Sequence, residues 1–388
     1  MTTSSFTIRY KAVHPGTDRT ELFFYDSAEQ ALQSTASAKQ NRLYITDEHI
    51  ACLAPIKSFL ETQKHKGFPV CVVKAGEQYK TIDTVLEIVK TALSGNLKRT
   101  STFVGIGGGV VCDLSAFAAS VFKRGARVEL IPTTLLAMVD ATIGGKTGCD
   151  FGDYKNMIGT FYPAQRIHIA PAFVQSLSNA EFRSGLAEVL KTALLYDKKL
   201  FRLLQEKKEK VLRREAEIIN HIVRVCTCAK AKIVQKDLTE HGIRMHLNLG
   251  HTFGHALETL AGLGTISHGE AVAWGIGRAI ALSEKLKLCP SSYKEEVFKT
   301  LQSYGWSCEA VHPALQKVRQ APPLVKDNPT TTADGNAKSV TDNPSEALLK
   351  AMKKDKKNSC ATVRLILQKG IKSAFIREVE DEYIRTVL

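Results

Sequence analysis

Hydrophobic and polar positions follow two different rhythms along this chain. Over the first 175 residues or so, short apolar runs alternate with stretches of helical periodicity. The runs at 42–46, 68–73, 101–106, 127–131 and 166–169 are rich in β-branched residues and bounded by turn formers, which predicts strands. Between them, the apolar spacing predicts helices near 50–64, 81–94 and 110–122. Strand–helix–strand alternation implies a parallel sheet covered on both faces. Such sheets take ligands at the carboxyl ends of their strands.

From about residue 178 helical periodicity dominates, over 180–196, 198–236, 252–263 and 269–287, with weaker helices to 320. The segment 322–344 is rich in Pro, Asn, Thr, Asp and Gly, which predicts a loop or insertion. A helix near 345–353 and two strand-like runs, 361–367 and 372–378, close the chain. The expected organisation is an α/β domain with a parallel, Rossmann-like sheet over 1–177. A mainly α-helical domain follows over 178–388.

Composition narrows the class. A chain of 388 residues suits two domains. No window approaches the 18 or so consecutive apolar residues of a membrane span, and the first residues lack the apolar core of a secretory signal. The nine cysteines form no CxxC pair and read as small core residues with free thiols, so a cytoplasmic location is expected. The net charge of +14 could serve nucleic acid, an acidic membrane surface or small anions. The densest basic runs, 207–214 and 353–357, carry no interleaved aromatics, which argues against nucleic acid. A small anionic metabolite fits better.

Four motifs could carry chemistry. Gly105-Ile-Gly-Gly-Gly-Val-Val-Cys-Asp113 follows a predicted strand and opens a predicted helix, which suits a nucleotide pyrophosphate, although a tight turn without a ligand would look the same. Asp140-Ala-Thr-Ile-Gly-Gly-Lys146-Thr, followed by Lys155-Asn156, places cations and an amide in glycine-containing loop sequence. It lacks P-loop spacing but suits a phosphate or carboxylate. Glu188 and Lys191 share a helix face among apolar neighbours, where a carboxylate needs a partner. The richest stretch runs from Lys230 through Glu240, Arg244, Asn248, His251 and His255 to His268. His251 and His255 share one helix face, and His268 can return across a helix hairpin. Two of these three histidines with Glu188 would make a catalytic zinc set with one position left open. Spacing does not choose between them. The spacing is not HExxH, so a zinc peptidase gains no support. Together the motifs point to a zinc- and nicotinamide-dependent enzyme acting on an alcohol of an anionic substrate.

The same strings, with Lys123-Arg-Gly, Pro132-Thr-Thr-Leu-Leu-Ala-Met-Val-Asp140, His268-Gly-Glu-Ala-Val and Asp355-Lys-Lys, resemble the 3-dehydroquinate synthases, within the sugar phosphate cyclase superfamily. The resemblance runs in order from about 42 to 388. It implies a phosphate-eliminating cyclase with NAD+ and a divalent metal, zinc first and cobalt second. The substrate would be 3-deoxy-D-arabino-heptulosonate 7-phosphate and the product 3-dehydroquinate, in the shikimate pathway. It implies Glu188, His251 and His268 as metal ligands, leaving His255 for substrate contact and proton handling. Arg244 and Lys230 match carboxylate-holding positions, where a planar arginine fork suits bidentate binding. Lys146, Asn156, Asn248 and Lys356 match the phosphate side, and Asp140, Lys191 and Glu240 match hydroxyl-contacting and proton-relay positions. For NAD the matches are Asp47, Glu77, Lys80, Gly107, Gly108, Gly109, Asp113, Thr133 and Thr134, with Lys146, Lys155 and Ser176. Arg124 matches an arginine that reaches in from a second subunit, which implies a homodimer.

Four departures stand out. The run 147–154 lacks the Pro-containing, Gly-Lys-Asn ending that the family more often has, Ala170 stands where Asp is common, Ser178 stands where Pro is common, and the 322–344 segment is longer than usual. None removes a ligand or catalytic group. Three alternatives differ in what they need. A sedoheptulose 7-phosphate cyclase has no substrate carboxylate for Arg244 and Lys230. A metal-dependent polyol dehydrogenase has no use for the phosphate-side cations. A non-catalytic relic should have lost ligands.

Overall fold

A computed structural model of the chain describes residues 4–10, 18–36, 41–152, 154–262, 264–318, 343–353 and 362–388. The described residues contain eleven strands. These are β1 (Ser4–Arg9), β2 (Arg19–Phe24), β3 (Arg42–Asp47), β4 (Val70–Val73), β5 (Thr102–Gly107), β6 (Arg127–Pro132), β7 (Lys146–Phe151), β8 (Tyr154–Phe161), β9 (Arg166–Ile169), β10 (Thr362–Gly370) and β11 (Ser373–Glu380). The chain forms two compact units, 1–245 and 246–388.

The first unit holds a seven-stranded sheet in the order β1-β2-β9-β6-β5-β3-β4. All neighbours are parallel except β1 and β2. Strand β5 is buried along its whole length, as a central parallel strand must be. From β3 the chain steps outward to β4 and then returns across β3 to β5. The order therefore reverses between β3 and β5, the point where open α/β sheets bind ligands. Asp47 ends one of these strands and Gly107 the other.

The five predicted strands are present at or within two residues of their expected bounds. Helices Ile82–Ser94 and Gly109–Val121 match as well. Thr81 caps the first, and its apolar stripe of Val85, Ile88 and Ala92 is buried. The parallel, Rossmann-like sheet and the helical content beyond it are as expected. Four local readings change. Strands β1 and β2 were not anticipated. The stretch 50–64 is two helices, Glu48–Ala51 and Ala54–His65, because Pro55 in the first turn has no N–H to continue a helix from above. The stretch 198–236 is three helices, Lys198–Glu206, Lys208–Leu212 and Ala216–Lys236. The last break falls at Arg214, whose φ is +57° and whose guanidinium binds the carbonyls of Val174 and Leu177 and the side chain of Asn179. The glycine-containing loop around Lys146 is a β-hairpin, β7 with β8. Most of β8 is at least partly exposed, so it carries no apolar alternation to read.

The change of pattern at 177/178 is a change of secondary structure, whereas the compact units divide at Met245/His246. Helix Asn179–Tyr196 belongs to the first unit and is buried continuously from Gly185 to Leu195. Ser178 explains its own departure: it makes a reciprocal capping box with Glu181, satisfying N–H groups that start the helix.

In the second unit, helix His251–Ala261 packs on helix His268–Lys285. A side chain at Gly250, where φ is +81°, would stand 2.7 Å from the Ile276 backbone nitrogen. Only glycine permits this approach. Trp274 is fully buried, lies edge-on to Phe253 at 6.4 Å and donates to the Glu309 carbonyl. The hairpin β10–β11 completes this unit with helices Ser291–Ser303, Pro313–Val318, Pro344–Lys353 and Asp381–Arg385. The expected loop at 322–344 falls almost entirely outside the described residues.

Candidate functional site

At the carboxyl end of β5, Gly107 turns directly into helix Gly109–Val121. A Cβ on Gly107 would stand 2.6 Å from Val111, so the first helical turn sits on the strand end and leaves backbone N–H groups facing outward. On the neighbouring strand, the Thr133 N–H donates to the Gly107 carbonyl at 2.9 Å. The Thr133 hydroxyl is buried with no hydrogen-bond partner among the described residues. A buried donor of this kind at a glycine turn fits a polar ligand group. Asp47 caps helix Glu48–Ala51 by accepting from Ile50, and burial raises its carboxyl above the usual range.

Lys80 gathers two other predicted residues. Its Nζ lies 2.6 Å from both Asp113 Oδ2 and Asn156 Oδ1. Burial alone would lower the Lys80 ammonium, but the carboxylates of Asp113, Glu77 and Asp150 together outweigh it and hold it above its ordinary value. Asn156, expected on the phosphate side, thus stands with two residues expected on the nucleotide side. Its left-handed backbone, φ +54°, is fixed by its N–H donating to Asp150 at 2.7 Å. Lys155 pairs with Glu77 at 3.8 Å. The Ser176 hydroxyl is engaged inside its own turn, on the Phe173 carbonyl. Arg124 is exposed, at φ +63°. Lys356 lies outside the described residues.

A second group centres on Asp140, on the short helical turn Ala137–Ala141 beyond β6. Lys230 bonds the Asp140 carboxylate and, at 2.7 Å, its carbonyl. Lys191 lies 3.7 Å from the other carboxylate oxygen and pairs with Glu188 one helical turn away. Glu188 and Lys191 are 0% and 2% exposed, which excludes a surface ion pair. Burial lowers the Lys191 ammonium, yet Asp140 and Glu188 together hold it above its ordinary value. Lys230 goes the other way, down to about 8. Burial is the largest cause; Asp140 opposes it without overcoming it, and the positive charges of Arg244 and Lys191 add to the lowering. Lys146 pairs with Glu240.

Arg244 is 2% exposed and donates to the carbonyls of Gly144, at 3.0 Å, and Leu238. Gly144 has φ +108°, and a Cβ there would collide with the guanidinium. Asp237 holds this loop by accepting from the backbone of His241, Gly242 and Arg244 at 3.1, 2.8 and 3.0 Å. It was not anticipated. The available signal was an acidic residue at a helix end, shortly before a glycine.

In the second unit three histidines converge. The ring of His251 lies 5.4 Å from those of His255 and His268, and the last two are 6.2 Å apart. Ring nitrogens of His251 and His268 approach within 4.8 Å, the reach of one metal ion. Glu258, also not anticipated, stands with His255 and His268 at similar reach. Asn248 is half-buried just before this helix.

Comparison with known proteins agrees in sequence and fold. Residues 70–184 match the 3-dehydroquinate synthase N-terminal model and residues 185–328 the 3-dehydroquinate synthase C-terminal model. A 3-dehydroquinate synthase of Acidithiobacillus ferrooxidans is 38% identical over 351 residues, covering 90% of this chain and 88% of that protein. One of Synechocystis is 37% identical over 320 residues, covering 82% and 81%. A 2-epi-5-epi-valiolone synthase of Streptomyces hygroscopicus, solved with NAD+ and Zn2+ bound, shares the fold at TM-score 0.79 and 25% identity, over 98% of each chain. A 2-deoxy-scyllo-inosose synthase, complexed with carbaglucose-6-phosphate, NAD+ and Co2+, shares it at 0.76 and 21% identity, over 99% of each. The chain therefore belongs to the 3-dehydroquinate synthase family.

Proposed function

We propose that this chain converts 3-deoxy-D-arabino-heptulosonate 7-phosphate into 3-dehydroquinate and inorganic phosphate, as a carbon–oxygen lyase of the shikimate pathway. The family supplies the reaction. The observation that supports the substrate is the cluster of buried cations around Asp140, where Lys230, Lys191 and Arg244 stand together and burial brings Lys230 down to about 8. A substrate carrying a carboxylate and a phosphate would give these cations further anionic partners.

When bound, NAD+ supplies a reversible hydride acceptor and a divalent metal, zinc first and cobalt second, polarises the hydroxyl being oxidised. Glu188, His251 and His268 would hold the metal, and the Gly107–Gly109 turn, Thr133 and Asp47 the nucleotide. Arg244 and Lys230 hold the substrate carboxylate, the first as a rigid fork and the second as an ammonium. Asp140 is hydrogen-bonded to Lys230 and ion-paired to Lys191, which in turn pairs with Glu188, so a proton taken from a substrate hydroxyl has a path within reach. Lys146, Asn156, Asn248 and Lys356 bind the departing phosphate, whose own oxygens can take the neighbouring proton, so no dedicated protein base is needed. His255 handles substrate contact. Net redox is zero. We also propose a homodimer in which Arg124 reaches the second subunit's site, and analytical ultracentrifugation across a dilution series tests it.

The direct test is phosphate release from 3-deoxy-D-arabino-heptulosonate 7-phosphate, with absorbance followed at about 340 nm, the nicotinamide band of the cofactor. Chelator-treated protein receives NAD+ and Zn2+ separately and together. Phosphate release requiring both, without NADH build-up, is the expected result. NADH accumulating without phosphate would indicate a dehydrogenase. Turnover of sedoheptulose 7-phosphate instead would overturn the carboxylate argument.

A further inference from the structure

Glu258 is a carboxylate in the wrong place for a surface helix. It is 4% exposed, on helix His251–Ala261, with Phe253, Ala256, Leu257 and Ala261 buried on the same element. Burying a carboxylate is costly unless a partner holds it. Its Oε1 lies 3.6 Å from Nδ1 of His268, the first residue of the packed helix. The spacing of His251, His255 and Glu258, four residues and then three, sets all three on one helix face.

We propose that Glu258 is the positioning residue for His268: it accepts the Nδ1 proton, fixes the tautomer and so turns Nε2 toward the metal. A histidine that binds a metal through one nitrogen generally donates its other N–H to a carboxylate or carbonyl, and this raises its basicity as a ligand. Glu258 meets the conditions. Its Oε1 approaches Nδ1 of His268 at 3.6 Å, and it is held on a packed helix. The close helix contact at Gly254, where a Cβ would stand 3.0 Å from the Ala271 carbonyl, keeps the two side chains in reach. The inference rests on His268 being a metal ligand.

The test titrates Co2+ into chelator-treated full-length protein, reading affinity by competition with a chelator and coordination by the visible absorption of the bound ion. Glu258→Gln should weaken Co2+ binding about 10- to 100-fold while the visible spectrum at saturation keeps its shape. Glu258→Asp should recover part of the affinity, and circular dichroism of the metal-free variants should match the parent. Unchanged affinity in Glu258→Gln would overturn the proposal. So would a weakened site with a changed spectrum, since Glu258 would then itself be a ligand. His268→Ala is the control for the premise. If it binds Co2+ as the parent does, the ligand assignment fails rather than the role of Glu258 alone.

Discussion

The two ends of the same sheet treat buried charge in opposite ways. At the amino ends of the strands, Glu129 of β6 meets Arg42 of β3 in two contacts, 2.8 and 3.3 Å. Arg166 at 3.7 Å and His168 at 3.4 Å, both of β9, crowd the same carboxylate. The other ring nitrogen of His168 meets Tyr25 and Ser34 at 3.0 and 2.8 Å. Burial opposes the charge, but His168 and Arg42 outweigh it and hold the Glu129 carboxyl down to about 2. Beyond the carboxyl ends, Asp140 is shared by Lys230 and Lys191, Arg244 adds its charge, and Lys230 falls to about 8. At the first end the partners prevail over burial, and the Glu129 carboxylate is held in its charged form. At the second end burial prevails over Asp140, and the Lys230 ammonium is weakened. Groups perturbed in the second way are the ones that gather at functional sites.

The largest way to break this contrast is at the closed end. Glu129→Gln leaves Arg42 buried without its charge partner, and urea unfolding should register a loss of about 3–5 kcal/mol. The kcat of the remaining folded enzyme should be unchanged. An equal loss of kcat would mean that the amino end also serves the reaction. The matching change at the open end, Lys230→Met, should leave the urea midpoint nearly where it was. It should lower kcat/KM about 10²- to 10³-fold, the range for removing one partner of a buried charge pair. A large stability loss with little change in kcat/KM would reverse the assignment of the two ends.

The pH dependences should also separate. Glu129 has a lowered folded value, so its stabilising contribution is complete above about 4.5 and is lost as pH falls through about 2. Acid unfolding of the parent should show this limb, and Glu129→Gln should not. Lys230 is a cation with a lowered folded value. Its burial penalty is present below about 8 and fades as pH rises toward 10.5. In the free enzyme the ammonium proposed to hold the substrate carboxylate is therefore lost through pH 8, and KM for substrate should rise there with little change in kcat. A flat KM between pH 7 and 9 would remove Lys230 from substrate binding. The smallest effect belongs to neither end. Glu215 pairs with Lys210 at 3.5 Å and Arg213 at 2.9 Å on open surface, and Glu215→Ala should not move the denaturation midpoint measurably.

Much of this was legible in the chain. The five parallel strands announced themselves because a strand buried on both faces is apolar along its length, as β5 is. The histidines were legible as a group because helical spacing puts His251 and His255 on one face whatever surrounds them. Strands β1 and β2 and the hairpin β7–β8 were hidden for the converse reason. Elements that are short or exposed on a face keep too little apolar alternation to separate them from loops. Asp237 and Glu258 were also hidden. Asp237 carried only the weak signal of an acidic residue before a glycine, and the spacing that sets Glu258 on the face of His251 and His255 does not show that His268 of the next helix meets it.

The sequence by itself determined the parallel α/β class, the glycine turn at the nucleotide end, the titratable side chains available and the family to which they belong. These depend on local periodicity and on residue identity, which the chain carries at every point. Only the tertiary structure decided which charges their partners hold and which burial weakens. Lys80 drawing Asn156 toward Asp113, Lys230 falling to about 8 while Lys191 rises, and Glu258 standing at His268 all depend on distances between residues far apart in the chain or on packed neighbouring helices. Burial and proximity set those energies, and neither exists before the chain has folded.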